Sequence, residues 1–469
     1  MSKTTNENIF VSDVKGELYA YTAENLKKQG YNVYVLDFIN PKKSNRFNFL
    51  DPIILAAEKG DISLAESLTS DLVSVLVPDN DTSGKGEPIW RNGEQSIIKT
   101  GIMAVVLDNI GHREKQTLSN VYYFISEMFA EQEDGETLID LYMEEKEANN
   151  PIKKFYAVAA TAPSRTRGSF ITSALSTLQI FINEYIDSIT CKSDFTFDEF
   201  EQHKTAIFVL LPDDKTANNK LVALMVQQIY TAIVELSRKN GGELKNRFNF
   251  ILDEFSNFTK IDSFETMLTV SRSRNIRYLI CIQSFGQIDK IYGKEGTQNI
   301  LDNGTLLYLK TNNIDTATKI SDKLGTYTAQ AYSESSNTNI KNSSSSSSMS
   351  LISRKLLTGD EVLRLSNPFA ILMLGGEKPY LCYLPDMSKT IFNEINEMGD
   401  EKHNLMLRIK REEAREERKI CHSVLWDIWN KYIEELENEE VEEEQKIEKQ
   451  EEFFEHFFKN KKGGNDEKE

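Results

Sequence analysis

The first forty residues carry two short continuous apolar runs with an amphipathic stretch between them. NIFVSD is a β-rich run ending at Asp13. LYAYTAENLKKQG repeats its apolar residues at helical spacing and stops at Gly30, and YNVYVLDF is a second short buried run. A helix between two apolar strands predicts the βαβ unit of a parallel sheet. From Ile53 to about Glu201 the texture changes. Apolar residues recur at helical spacing in DISLAESLTSDLVSVLV, EQSIIKTGIMAVVLDNI, TLSNVYYFISEMFAEQ and SFITSALSTLQIFINEYIDSI, with polar breaks between them. This predicts an all-α insertion. The strand texture returns at TAIFVLLPDD, a long helix follows to Gly241 and Gly242, and three more apolar runs come next: FNFILDE, RYLICIQS and GTLLYLKT. Short apolar runs alternating with helices predict strands buried on both faces of a doubly wound α/β sheet.

Beyond residue 330 the pattern thins. SESSNTNIKNSSSSSSMS (333–350) has no apolar period and predicts a mobile serine-rich linker. RKLLTGDEVLRL predicts a short helix and NPFAILMLGGEKPYLCYLP a terminal hairpin. From about Asn396 a charged helix begins, with a glutamate-dominated run from Glu434 to Glu455, and this tail reads as a solvated helix or disordered acidic arm. FFEHFF is the one apolar patch there, a weak docking candidate. The expected domains are therefore 1–58 and 204–392 as two parts of one α/β domain, 59–203 as an all-α domain, and 393–469 as a charged helical or disordered tail.

Composition narrows the function. The 469 residues carry a formal net charge of −18. A basic surface of the repressor or histone kind is excluded, so any nucleic-acid contact is local, a loop or a pore and not a whole face. No apolar run is long enough to span a bilayer. The four cysteines are scattered, with no CxxC, and read as reduced thiols.

The strongest chemical signal is FNFILDEFSNF (248–258). An apolar strand ends in adjacent acids, Asp253 and Glu254, at the carboxyl edge where open α/β sheets bind ligands. In P-loop nucleoside triphosphatases the first such acid holds Mg2+, usually through water, and the second polarises the attacking water. The arginines Arg272 and Arg274 follow, and RYLICIQS brings Gln283 to the next strand end. A strand-end glutamine can sense a γ-phosphate, and an arginine near a subunit edge can neutralise transition-state charge in a neighbouring site.

Several motifs occur in one order: SDVKGELY (12–19), GEQSIIKTG, KTAIFVLLPDD, FNFILDEFSNF, QSFGQIDKIYG, TATKISDKLGTYT and RKLLTGDEVLRL. The series, from residue 8 to about 390, resembles the TraG/VirD-type coupling proteins of conjugation and type IV secretion, in the form found in Gram-positive mobile elements. The resemblance implies a membrane-anchored hexameric ATPase at the inner face of the cell membrane. Its RecA-like domain, interrupted by an all-α domain, brings a relaxase–DNA complex to the channel proteins. ATP and Mg2+ are its implied cofactors, Asp253 and Glu254 match the Walker B pair, and Gln283 matches the γ-phosphate-sensing glutamine. Arg272 best matches the arginine finger, with Arg274 next. Asp13, Lys15 and Glu17 fall in the family's DPKGE motif, with Val14 in place of proline and individual roles open.

One departure matters. The family places its GxxxxGK[ST] loop and its membrane anchor upstream of DPKGE. Here eleven residues precede SDVKGELY, and MSKTTNENIFV contains no glycine. SGKGEP (83–88) lacks the first glycine and the Ser or Thr after Lys85, and reads as a loop. The expectation is an incomplete RecA-like sheet with an apolar edge or face uncovered, inactive alone. Two roles then compete: the larger part of a split or truncated ATPase, or a non-catalytic adaptor that recruits relaxase or other cargo through the all-α domain.

Overall fold

The computed structural model describes residues 7–78, 88–130, 137–214, 218–261, 263–339, 342–438, 446 and 449–450. The SGKGEP loop (but for Pro88), FFEHFF and most of the glutamate run lie outside the described residues. The chain forms two compact units: Met1–Asn45 with Pro78–Gly86 and Phe195–Lys419, and Arg46–Val77 with Glu87–Asp194 and Ile420–Glu469.

The first unit is built on a five-stranded parallel sheet. Its strands are β1 (Asn8–Val14), β2 (Asn32–Asp37), β3 (Thr205–Leu211), β4 (Phe248–Leu252) and β5 (Ile276–Ile280), in the order β2-β3-β1-β4-β5. α1 (Glu17–Lys28) joins the first two strands. β1 pairs with β3 from Ile9↔Ala206 to Val14↔Leu211, and with β4 from Asn8↔Phe248 to Ser12↔Leu252. Alternation along β1 sends Ile9 and Val11 to one face, where they pack with Tyr19, Ala23 and Leu26 of α1 and with Phe208 and Leu210 of β3. Phe10 meets Phe250 from the other face. All seven residues of β3 are buried, as a central strand between two helical layers requires. β5 is an edge strand, and Leu279 on it is 55% exposed.

The second unit is helical: α2 (Asp51–Glu58), α3 (Ile62–Leu76), α4 (Pro88–Asp108), α5 (Leu118–Met128), α6 (Leu138–Glu144), α7 (Pro151–Ala160), α8 (Ser164–Leu178) and α9 (Glu184–Thr190). α4 is the hub, buried from Ser96 through Val106 save for Lys99. Gly101 lets α5 approach it, since a Cβ there would lie 2.9 Å from Val121.

The first unit continues with α10 (Glu199–Gln202), α11 (Asn219–Lys239), α12 (Phe264–Ser271), α13 (Phe285–Asp302), β6 (Leu306–Tyr308), α14 (Ile314–Leu324), β7 (Thr326–Asn339), β8 (Asn342–Lys355), α15 (Gly359–Leu363), β9 (Phe369–Met373), β10 (Tyr380–Tyr383), α16 (Asn393–Asn396) and α17 (Glu401–Glu413). Three expectations change here. The run GTLLYLKT becomes β6, but β6 belongs to a separate antiparallel sheet ordered β10-β9-β6. Its buried face packs Tyr308 and Ile371 against Ala317 and Ile320 of α14. Three apolar residues suffice for a strand and do not say which sheet it joins.

The serine-rich stretch is no linker. Its described residues, 333–339 and 342–350, lie in the strands β7 and β8, paired from Thr326↔Lys355 to Asn339↔Asn342. Side-chain polarity denies these residues a core but leaves their backbone groups free to pair with one another. The tail also differs from a solvated arm. Arg415, Trp426 and Tyr432 lie in it with side chains almost wholly buried, Arg415 at 9% exposure. Among the described residues, no helix is long and apolar enough to cross a membrane.

Candidate functional site

Parallel strands deliver their last residues to one edge, and β1 and β4 bring acids there. β1 and β4 leave their ladder at Ser12↔Leu252, so Asp13 and Asp253 follow on neighbouring strands, about 5 Å apart. The Ser12 hydroxyl donates to the Asp253 carbonyl oxygen at 3.2 Å, which ties the two strand ends.

Asp13 is fully buried. Its Oδ2 accepts the Tyr19 N–H at 2.7 Å, so the carboxylate caps the amino end of α1. Its Oδ1 is buried with no hydrogen-bond partner. Burial raises this carboxyl to about 6 against the pull of the α1 amides, and the Asp253 charge adds to the rise. Burial likewise raises Asp253, with the Glu17 charge adding. The turn between β1 and α1 is unusual, because Lys15 and Gly16 are both left-handed, with φ 76° and 73°. Lys15 thereby reaches Asp213 at 3.4 Å, beyond β3.

Glu254 also sits in the left-handed region, at φ 48°. A non-glycine residue there costs about 1–2 kcal/mol, strain of a kind that collects at functional sites. Its Oε2 accepts from Asn257 Nδ2 at 2.7 Å. Phe255 N–H donates to the Cys281 carbonyl oxygen at 3.0 Å, which brings the Gln283 segment to the same edge. Gln283 itself is exposed. Asp13, Asp253, Glu254 and Gln283 thus share one edge.

The arginines do not. Arg272 and Arg274 form the turn just before β5, and the Leu244 N–H, just ahead of β4, donates to the Arg274 carbonyl oxygen at 3.2 Å. They stand at the amino end of the sheet, about 15 Å of strand from Asp253. Neither can reach the carboxylates of its own chain. Arg272 is exposed, as a group acting on a neighbouring site would be.

A divalent cation fits this edge. A buried carboxylate oxygen without a partner, beside a second carboxylate, is the donor chemistry Mg2+ takes. Among the described residues, no three His, Cys, Asp or Glu side chains gather to hold a metal by themselves. Mg2+ in nucleotide sites needs only one or two protein carboxylates, with water and phosphate completing its shell. When bound, the ion would neutralise phosphate charge, with Asp253 and Asp13 as its protein side and Glu254 placed to orient a water.

Composition and motif spacing left Asp37 and the arginines in and just after α17 unread. Asp37 ends β2 on the same edge and is 1% exposed. Arg415 Nη1 donates to its Oδ2 at 2.6 Å, while the guanidinium stacks 5.0 Å from the Tyr19 ring centre. Arg411 donates to the Ala20 carbonyl oxygen, and Arg408 pairs with Glu17 at 2.6 Å. Three arginines spaced i, i+3, i+7 were the available signal; partners nearly 400 residues away were not visible.

Fold and edge together define a doubly wound α/β core with an inserted helical unit. The chain belongs to the type IV secretory system conjugative DNA transfer family, whose model matches residues 3–386. It is 25% identical over 339 residues to protein VirD4 of Agrobacterium fabrum, covering 71% of this chain and 48% of that protein. It is 26% identical over 385 residues to the conjugal transfer protein TraG of Escherichia coli, covering 76% and 58%. The chain spans about half the length of the curated relatives it matches. Its fold is similar to that of the unbound bacterial conjugative coupling protein TrwB, with a TM-score of 0.58 at 17% identity over 81% of this chain and 78% of that one. TrwB has also been solved in complex with ADP and Mg2+; that structure matches with a TM-score of 0.54 at 16% identity, covering 81% and 85%.

Proposed function

We propose that this chain carries the RecA-like and all-α portions of a conjugative coupling protein. In that role ATP hydrolysis at the carboxyl edge moves or remodels a relaxase–DNA substrate at the cytoplasmic face of the secretion channel. The observation that carries the reading is the partnerless buried Oδ1 of Asp13 beside Asp253, with strained Glu254 next to it. Asp253 holds Mg2+ through water, Asp13 completes the anionic seat, Glu254 orients the attacking water, and Gln283 reads the γ-phosphate. Arg272, at the opposite end of the sheet, serves the site of a neighbouring subunit, which requires a ring; a homo-hexamer is the arrangement proposed. Single-stranded DNA contacts are sequence-independent and weaken steeply with salt.

None of the 469 residues belongs to a GxxxxGK[ST] loop. The carboxylates therefore work on a nucleotide only when a phosphate-binding segment joins them. The test is to add such a segment, fused or in trans, and to measure Mg2+-dependent phosphate release. Turnover should appear, and Glu254→Gln should lower it by about 100-fold or more. No turnover in the joined protein overturns the reading.

The alternative is an adaptor whose all-α unit recruits relaxase or other cargo without hydrolysis. Relaxase binding by the full chain in the absence of nucleotide tests it, and no binding sinks it.

A further inference from the structure

The helical unit holds an extended segment of its own chain as a receptor holds a peptide. Residues Cys421–Trp426 follow α9 by some 230 positions and are bound strand-like, main chain first. Cys421 N–H donates to the Ser188 hydroxyl at 3.2 Å. Ser423 N–H donates to Asp187 Oδ2 at 3.0 Å, and the Ser423 hydroxyl donates to Oδ1 at 2.5 Å. Val424 N–H donates to the Glu114 carbonyl oxygen at 3.0 Å.

Asn120 closes the grip. Its Nδ2 donates to the Val424 carbonyl oxygen at 2.8 Å, and its Oδ1 accepts the Trp426 N–H at 3.0 Å. One side-chain amide thus satisfies the acceptor of one residue and the donor of the residue two further on. That geometry reads an extended backbone whatever its side chains.

Two side chains seat in the groove, while the more exposed His422 also reaches it, its Nδ1 3.5 Å from Asp187 Oδ2. Ser423 lies on Asp187. Trp426 stacks on Phe124, with ring centres 5.5 Å apart and planes 5° from parallel, and is 6% exposed. Val424 and Leu425 between them are each 47% exposed. The groove therefore selects a hydroxyl residue followed, three positions later, by a large aromatic one.

Asp187 and Asn120 are 8% and 1% exposed, and Asp187 is oriented from within by the Ser119 hydroxyl at 2.6 Å. The receptor side is thus built and rigid. It also lies inside the family-matched residues 3–386, whereas its occupant lies outside them.

We propose that this groove, formed by α5, α9 and the turn before α5, is a peptide-binding site. The chain's own Cys421–Trp426 is its resident occupant, exchangeable for an extended segment of a protein partner with the Ser-x-x-Trp pattern. The inference stands apart from the nucleotide reading. Peptide binding needs no ATP, so failure of one assay leaves the other standing.

The experiment uses the full chain in reducing buffer and a fluorescein-labelled peptide of residues 420–432, followed by anisotropy. A Trp426→Ala chain, whose own segment has lost its anchor, should bind the peptide at least about tenfold more tightly than the wild type, whose groove is filled. A peptide with alanine at the Trp426 position should not bind, nor should a chain that also carries Asn120→Asp.

Cys191, buried beneath the segment with its Sγ 3.8 Å from the Cys421 carbonyl oxygen, supplies a second readout. Its reactivity toward a thiol reagent should rise in Trp426→Ala and fall again on adding peptide. If Trp426→Ala does not fold, Ser423→Asp, which sets a second carboxylate against Asp187, is the releasing variant. Protected Cys191 without peptide binding makes the segment a fixed part of the fold and overturns the proposal. So does exposed Cys191 without peptide binding. Dimers formed by trading the segment would make a second copy the occupant and overturn the partner reading.

Discussion

Two buried aspartates lie at the same sheet edge, on strands separated by β3, and they are answered differently. Asp37, at the end of β2, is 1% exposed and meets Arg415 at 2.6 Å. Its Oδ1 takes two further N–H groups, from Ile39 and Asn40. Asp13, at the end of β1, is as deeply buried, yet only one of its oxygens is satisfied. Burial raises both carboxyls, but a cation built into the chain stands beside Asp37 and only another carboxylate beside Asp13. The charge of Asp37 is thus answered within the chain, whereas Asp13 keeps a buried oxygen unanswered. The same substitution at the two positions should therefore act with opposite sign.

The largest effect falls on the paired site. Asp37→Asn strands Arg415, and Arg415→Ala strands Asp37. Either should lower unfolding free energy by about 3–5 kcal/mol at pH 8, read from urea midpoints. The cost of Arg415→Ala should shrink in acid, where Asp37 can protonate. If both variants unfold at the wild-type midpoint, the pair is not what fastens the segment after α17 to the sheet.

Asp13→Asn should go the other way. A carboxyl raised from 3.8 to about 6 contributes stability that is full below the unfolded value and is lost as pH rises through the folded one. Above about pH 6 the ionised Asp13 costs about 3 kcal/mol relative to an unshifted group. Asn keeps an oxygen for the Tyr19 N–H and removes the charge. The variant should gain up to that amount at pH 8 and nothing near pH 4. A gain that does not change with pH would show that charge is not the cause.

Glu254→Gly sharpens the contrast on a smaller scale. It releases the left-handed strain at φ 48° and should raise stability by about 0.5–1 kcal/mol, while ending any turnover that the joined phosphate-binding segment restores. Lost stability with intact turnover would remove Glu254 from the site.

These contrasts also mark what could be read from sequence. β1, α1, β2 and β4 were legible because apolar runs and one helical period specify a buried parallel sheet, and the acids of FNFILDE mark its carboxyl edge. Gln283 followed from strand-end position alone. Arg415 was not legible, because its partner is 378 residues away and a charged helix looks solvated until that partner is placed. Asp13 was named without a role, since no pattern tells which of its oxygens is left over. The segment Cys421–Trp426 sits in an acidic tail whose charge average hides one buried tryptophan.

The smallest effect belongs to the arm that replaced the expected linker. Among the described residues β7 and β8 pair only with each other, and beyond their base they present Tyr332, Met349 and Leu351 at 73%, 62% and 71% exposure. A two-stranded ribbon without a third strand or a helix against it is marginal on its own. Its stability therefore contributes little to that of the whole. Ser348→Pro, which removes one donor from the ladder opposite Ser333, should change the urea midpoint by less than about 0.5 kcal/mol. Amides on both strands of the arm should already exchange far faster than those of β1 or β3 in the wild type. Slow exchange there, or a large loss in Ser348→Pro, would mean that the ribbon is coupled to the sheet after all, and that its serine backbone is as much a part of the fold as the apolar strands.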